Sequence, residues 1–187
     1  CGISAFVTNK IRNKEEYIKI IKQMNNSLLH RGPDFQNYWL DEKKGICFGH
    51  TRLSIQDLTS NGNQPKLSDN GRYLLCFNGE IYNHYFLRKK IEKEKSINFE
   101  WKGNSDTETL LKSFEFFGFE KTLNLTTGMF AICLFDRKYD KLYLAIDRFG
   151  EKPLYFGKVN NSFVIASELK ALKNFKNFDN PIDKNSL

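Results

Sequence analysis

Cys1 can carry two chemical groups on one residue: a thiol and, where it opens the mature chain, a free α-amine. The unperturbed amine pKa is about 7.7–8.0 and the thiol about 8.5. The amine is therefore partly neutral near pH 7 and can take the thiol's proton, directly or through a water. Nucleophile and base are then complete within one residue, the logic of the N-terminal threonine nucleophiles. Such a residue is exposed by loss of an initiator methionine. From Cys1 alone two other readings stay open: a numbering that starts at an arbitrary boundary, and the lipid-bearing cysteine of a bacterial lipoprotein. The residues that follow bear on this. Ile3, Ala5 and Val7 alternate as in a strand, with no polar tether of the kind a lipid anchor leads into.

A thiol that attacks a carbonyl needs donors for the developing oxyanion and groups that hold the substrate. Phe77-Asn78-Gly79-Glu80 follows a strand-like run. An Asn amide and a Gly backbone N–H are a suitable donor pair. The competing reading is an Asn-Gly hairpin turn, although a helix rather than a second strand follows. Arg52, in Gly49-His50-Thr51-Arg52-Leu53-Ser54-Ile55, sits among apolar residues. It could grip a carboxylate bidentately or serve a structural ion pair. Asp106 and Glu80 could receive an ammonium; alternatively they are a helix N-terminal charge and a loop carboxylate. Thiol, oxyanion donors, carboxylate grip and ammonium grip together describe a site for a small free amino acid with a cleavable side-chain carbonyl. Glutamine satisfies that description.

The elements that must place these residues follow from periodicity. A helix is expected over 15–29, with Ile18, Ile21, Met24 and Leu28 on one face, ended by His30-Arg31-Gly32-Pro33-Asp34. Strands are expected over 36–40, 46–49 and 73–77, with a Gly/Asn/Pro-rich loop over 59–71. A second helix over 83–95, a strand near 98–101 and a third helix over 107–117 follow; Ser105 and Glu108 have capping-box spacing. Strands over 129–135 and 141–146 form a hairpin across residues 136–140. Strands over 153–156 and 163–166 lead to a short helix over 168–173. Antiparallel strands with a few helices imply an α+β layered domain.

Composition narrows the class. A chain of 187 residues, 40% hydrophobic and 14% aromatic, can bury a full core as one domain. No apolar run reaches the roughly 18 residues of a membrane span. The net charge of +7 comes from lysines scattered over polar faces, without a nucleic-acid signature, and reads as solvated surface. Cys47, Cys76 and Cys133 lie inside apolar runs, as buried free thiols do, and fit a reducing cytoplasm. The three histidines have no metal-ligand spacing, so no metal is expected.

The chain resembles the glutaminase domain of class II glutamine amidotransferases, which are N-terminal-nucleophile hydrolases. Within that family it is most similar to the glutaminase domain of glutamine-dependent asparagine synthetases. The resemblance rests on ordered segments along nearly the whole chain. They include Cys1-Gly2-Ile3, His30-Arg31-Gly32-Pro33-Asp34, Gly49 to Leu58, Gln64-Pro65 and Phe77-Asn78-Gly79-Glu80-Ile81-Tyr82-Asn83-His84. Ser105-Asp106-Thr107-Glu108, Gly128-Met129-Phe130-Ala131, Asp147 to Tyr155 and Ala166 to Leu172 complete them. The resemblance implies a four-layer αββα sandwich of two antiparallel sheets. It implies Cys1 as nucleophile with its own amine as base, and Asn78 and Gly79 as the oxyanion hole. Arg52 would bind the α-carboxylate, and Asp106 with Glu80 the α-ammonium. The backbone of Leu53, Ser54, Ile55 and Gln56 would line the pocket.

L-Glutamine is the implied partner, together with an ATP-dependent synthetase domain, C-terminal or separate, and a homo-oligomer is possible. No cofactor is expected in this domain; ATP and Mg would serve the synthetase, whose Ser-Gly-Gly-x-Asp loop is not found in these residues. Residues 1–173 are expected to form the glutaminase domain and 174–187 a polar tail linking to that partner. Three departures from the family pattern stand out: Ala5 for Gly, Lys66 for Met, and Ile146 for the Arg that precedes Asp147-Arg148. Neither the acceptor of the ammonia nor its chemistry is readable here; an amidated sugar or other carboxylate is an alternative, as is a catalytically silent docking module.

Overall fold

The computed structural model describes residues 1–8, 13–95 and 99–178. In chain order the elements begin with β1 (Gly2–Thr8), α1 (Lys14–Asn26), β2 (Phe35–Asp41), β3 (Ile46–Arg52), β4 (Lys66–Leu67) and β5 (Tyr73–Ile81). They continue with α2 (His84–Lys95), α3 (Asp106–Phe117), α4 (Phe119–Leu125), β6 (Gly128–Asp136) and β7 (Lys141–Ile146). β8 (Tyr155–Val159), β9 (Ser162–Ala166) and α5 (Leu169–Leu172) end the series.

Alternation along single strands dictates the layers. In β1, Ile3 and Ala5 face one way and Phe6 the other. In β5, Leu74 and Cys76 oppose Tyr73, Leu75 and Phe77. The strands form two antiparallel sheets, ordered β2-β3-β1-β9-β8 and β4-β5-β6-β7. Ile3, Ala5, Phe48 and Ile165 of the first meet Leu74, Cys76, Ala131 and Cys133 of the second, making the central core. The outer face of the first sheet packs on α1 and α5, and that of the second on α2, α3 and α4. The result is the expected four-layer αββα sandwich. Each large side chain fully buried in these cores contributes about 1.5–3 kcal/mol.

Helix α1 shows how a layer is fixed. Tyr17, Ile20, Ile21 and Met24 recur at helical spacing and are buried, and the Asn13 side chain caps the N-terminus by accepting from Glu16 N–H at 2.8 Å. Ser4 Oγ donates to Asn25 Oδ1 at 2.7 Å, and Asn25 Nδ2 donates to Asn37 O at 3.1 Å. The helix lies so close to the sheet at Gly49 that a Cβ there would sit 2.4 Å from Asn25 Oδ1.

Some expectations change. The strand near 98–101 is not formed: residues 99–101 are irregular, and Asn98 lies outside the described residues. Phe99 and Trp101 instead pack tilted against each other, Phe99 meets Phe116 edge-on and Arg88 lies over Trp101, while Trp101 Nε1 donates to Glu92 Oε1 at 2.8 Å. The capping box at α3 is half made. Ser105 Oγ accepts from Thr107 N–H, but Glu108 turns to the N–H groups of Lys102 and Gly103. Strand β5 runs on to Ile81 rather than stopping at Phe77, so Asn78-Gly79 is strand and not turn. Packing continues past residue 173: Phe175 is buried, its ring 5.2 Å from that of Phe6, and Phe178 packs on the same cluster. Of the expected tail, 179–187 lie outside the described residues. Cys47, Cys76 and Cys133 are free and buried, and burial pushes each thiol well up. No helix among the described residues is long and apolar enough to cross a membrane.

Candidate active site

Both sheets end at one cavity of about 180 Å³. The first sheet brings Cys1, ahead of β1, and Arg52, the last residue of β3; the second brings Asn78, Gly79 and Glu80 from β5. Asp106, the first residue of α3, closes the far wall.

Cys1 is held by a short turn over Leu29–Arg31. Its amine donates to Arg31 O at 2.8 Å, and Arg31 Nε donates back to Cys1 O at 3.1 Å. Arg31 is fixed in turn by Glu168, at 2.8 Å from Nη1. Despite the cost of burying it, Glu168 is held down to about 2 by hydrogen bonds from Arg31, His30 and Lys170. The turn lies against β3 so tightly that a Cβ on Gly32 would sit 2.4 Å from Thr51 O. Leu53 N–H lies 3.4 Å from Cys1 Sγ. Burial pulls the Cys1 amine from 8.0 down to about 6, with the positive charges of Arg31 and Lys152 pulling the same way and Asp34 opposing. At neutral pH the amine is thus mainly free base, as a proton acceptor for the thiol must be.

Asn78 is 6% exposed, and its side-chain Nδ2 has no hydrogen-bond partner among the described residues. A buried amide left so is unusual and calls for an explanation. The neighbouring Gly79 N–H is aimed by strand alternation. Phe77 N–H donates to Gln64 Oε1 at 2.6 Å and Ile81 N–H to Asp106 Oδ2 at 2.8 Å, both away from β6. Gly79 N–H, midway between them, leaves the same free edge. Phe130, opposite Gly79, agrees: its N–H and C=O both engage Asp147, on the side away from β5. A Cβ at Gly79 would stand 2.1 Å from Met129 O, so glycine alone fits.

Two residues lock the segment before Asn78. Gln64 Nε2 donates to Phe77 O at 3.1 Å while its Oε1 takes Phe77 N–H, extending the ladder that β4 leaves short. His50 Nε2 donates to the same carbonyl at 3.2 Å. Burial lowers the His50 pKa to about 3, so the imidazole is neutral and donates through Nε2.

The charged residues Arg52, Glu80 and Asp106 line the same cavity. Arg52 is 7% exposed and donates Nη1 to Thr59 O at 2.7 Å and to Asn63 Oδ1 at 2.8 Å, with Nη2 to Asp57 O. Three of its five donors therefore hold the 57–63 loop, and no carboxylate pairs with it among the described residues. A Cβ on Gly62 would sit 2.1 Å from Arg52 Nη2, so the loop wraps the guanidinium. Asp106 is buried, and burial pushes it from 3.8 up to about 6, with Glu80 adding to the rise against the backbone N–H bonds it accepts. Gln56 spans the gap: its Nε2 donates to Glu80 Oε1 at 3.0 Å and its Oε1 accepts from Asp106 N–H at 3.4 Å. Arg88 of α2 fixes the start of α3 by donating to Thr109 Oγ1, Gly103 O and Ser105 O.

The structure therefore brings together Cys1, Arg52, Leu53, Ile55, Gln56, Asn78, Gly79, Glu80 and Asp106. Ser54 stands apart: its N–H donates to Asp34 Oδ2 at 2.7 Å, and it does not line the cavity. Sequence reasoning missed the roles of Gln64, His50 and Arg31, and the presence of Lys152 in the wall. The segments His30 to Asp34, Gly49 to Leu58, Gln64-Pro65 and Asp147 to Tyr155 contain all four without saying what they do. Among the described residues, no group of His, Cys, Asp and Glu could hold a metal.

Comparison with known proteins follows the same lines. An asparagine synthetase [glutamine-hydrolyzing] of Bacillus subtilis is 39% identical over 188 residues, covering all of this chain and 28% of that protein. The mouse asparagine synthetase [glutamine-hydrolyzing] is 36% identical over 84% of this chain and 27% of its own length. The chain thus spans less than a third of these relatives. A solved structure of the glutamine phosphoribosylpyrophosphate amidotransferase of B. subtilis shares the fold, with a TM-score of 0.73 at 20% identity over 92% of this chain and 43% of that one. The glutamine amidotransferase domain profile matches residues 1–187, and the chain belongs to that family.

Proposed function

We propose that this chain hydrolyses glutamine to glutamate and ammonia through a thioester on Cys1. The observation that carries the reading is a pair of donors at the cavity that also holds Cys1: Asn78 Nδ2, which has no partner among the described residues, and Gly79 N–H, which strand alternation turns to the free edge of β5. The Cys1 amine takes the thiol proton, and the thiolate attacks the side-chain amide carbon of glutamine. The oxyanion forms between Asn78 and Gly79, and the amine's proton passes to the leaving nitrogen, which departs as ammonia. Water, deprotonated by the same amine, then opens the thioester to glutamate. Arg52 takes the α-carboxylate, and Asp106 with Glu80 the α-ammonium. This polarity admits a free amino acid and disfavours a peptide-bound one, whose α-groups carry no charge.

The ammonia passes, in this reading, to an ATP-dependent synthetase domain that forms asparagine. The names and greater length of the relatives support it. ATP and magnesium would serve that domain and not this one. Glutamate release from glutamine tests the chemistry: Cys1→Ala should abolish it, and a glutamine-like electrophile such as diazo-oxo-norleucine should add to Cys1 alone. Undiminished glutamate release by Cys1→Ala would falsify the reading. Product analysis of the full-length protein with glutamine, ATP and aspartate tests the acceptor, and a product other than asparagine rejects that part alone.

A further inference from the structure

Lys152 is the cavity residue that the glutamine contacts leave unexplained. It follows β7 in a loop built around one buried carboxylate. Asp147 is 5% exposed and accepts four backbone N–H bonds: from Phe130 at 3.0 Å, Phe149 at 3.0 Å, Glu151 at 3.2 Å and Lys152 at 3.4 Å. Those bonds hold Asp147 below the ordinary carboxylate range in spite of its burial. The loop is therefore anchored to β6, next to the strand that carries Asn78 and Gly79, and its last bonded residue is Lys152. The Lys152 side chain lines the same cavity as Cys1. Among the described residues its ammonium forms no ion pair. A fixed loop that aims an unneutralised cation at a nucleophile invites a role in the chemistry.

We infer that Lys152 is a positioning residue of charge: by facing the Cys1 amine, it keeps that amine in its proton-accepting form. The inference rests on the glutaminase reading and adds a residue to it. The reason is electrostatic. An ammonium near an amine disfavours a second positive charge there, and a partly dry cavity strengthens the effect. The surroundings of the amine are mixed. Arg31 reaches it from the turn before Gly32, where His30 pairs with Glu168, and Asp34 from the loop before β2, while His50 and Arg52 stand on β3. Glu80 of β5, Asp106 of α3 and Asp57 of the loop line the same cavity, and Glu168 acts through Arg31. Asp34 works against Lys152, while Arg31 works with it. Arg31 is committed to Glu168, whose charge offsets its own. Among the described residues Lys152 has no such counter-ion.

The test is the pH dependence of glutamate release by the full-length protein. In the series Lys152→Arg, Lys152→Gln, Lys152→Glu the acid limb should stay in place, rise by about half a pH unit, and rise further, as one and then two charges are changed at several ångströms. Loss of rate at pH 7 should follow the same order and recover at higher pH. A structural role alone would lower rate at every pH without moving the limb. An unmoved limb in an active Lys152→Gln enzyme would overturn the inference and leave the glutaminase reading intact. If the uncharged variants do not fold, the wild-type limb settles it. Titration of the ¹⁵N-labelled Cys1 amine should rise with added salt, as screening weakens the cations around it, and a salt-independent value would count against Lys152. A failed Cys1→Ala control is a different outcome, since it removes the glutaminase reading itself.

Discussion

Strand β5 has two ends, and they treat polar groups in opposite ways. At its start, charged and polar groups are answered within the fold. Arg72 grips the buried Asp136 through Nε and Nη2, with contacts of 3.1, 3.2 and 2.7 Å. Tyr73 N–H meets Ser68 Oγ, Arg137 meets Gly71 O, and Lys44 pairs with Asp140. At its finish, donors and charges are held rigidly and left open. Among the described residues Asn78 Nδ2 has no partner and Arg52 makes no ion pair, and Asp106 is kept dry with its pKa raised. A closed network gives its energy to the fold. An open one, held as firmly, keeps that energy for a ligand.

Substitutions at the two ends should therefore fail in different currencies. The largest effect is expected from Asn78→Ala: kcat for glutamate release should fall about 10²–10³-fold, as for loss of one oxyanion donor. Thermal stability should hardly change, because Nδ2 bonds no described residue; a large drop in Tm would break the contrast. Arg52→Lys comes next. A single ammonium replaces a planar fork, so KM for glutamine should rise about 10–100-fold, with kcat less affected. A modest loss of stability should accompany it, since the guanidinium also holds the 57–63 loop.

The pH profile sharpens the comparison from both ends. Below about 6 the Cys1 amine gains a proton and cannot accept another, and Asp106 gains one and loses the charge that the proposed function assigns to holding an ammonium. Both changes act in one direction, so kcat/KM should fall through pH 6 with a slope approaching two; a flat profile down to pH 5 would contradict it. The start of β5 answers to lower pH. Asp136 is held below its unfolded value, so its stabilisation is present above the ordinary carboxylate range and is lost as pH falls below it. Asp136→Asn is the smallest effect on catalysis. It should cost about 2 kcal/mol of stability and leave turnover per folded molecule unchanged.

These contrasts were only partly legible in the sequence. Alternation at Ile3, Ala5 and Val7 and the apolar runs Tyr73–Phe77 and Met129–Phe135 sufficed for strands, while their arrangement in two sheets came from the family resemblance. Ser105-Asp106 announced a helix start, and a helix start places its first side chain. Glu108 was misread because its partners, the N–H groups of Lys102 and Gly103, exist only once the preceding loop has folded. Asn78-Gly79 looked like a turn for a similar reason. What keeps it extended is Gln64 and His50, distant in the chain, both bonded to Phe77 O. The strand expected at 98–101 failed because Phe99 and Trp101 found rings to pack on rather than a neighbouring strand. Periodicity reports a residue's own preference; these residues were decided by others.

The place of β1 ties Cys1 to the far end of the sheet. It lies between β3 and β9, and β9 comprises Ser162–Ala166. The strand that begins beside Cys1 therefore gains its second neighbour only when residues distant in sequence have folded onto it. Ser167 locks the same strand, bonding Ile3 through both its N–H and its Oγ. None of these late-sequence residues lines the cavity. A break in β9 would thus loosen the aim of the Cys1 thiol without touching any residue of the cavity wall.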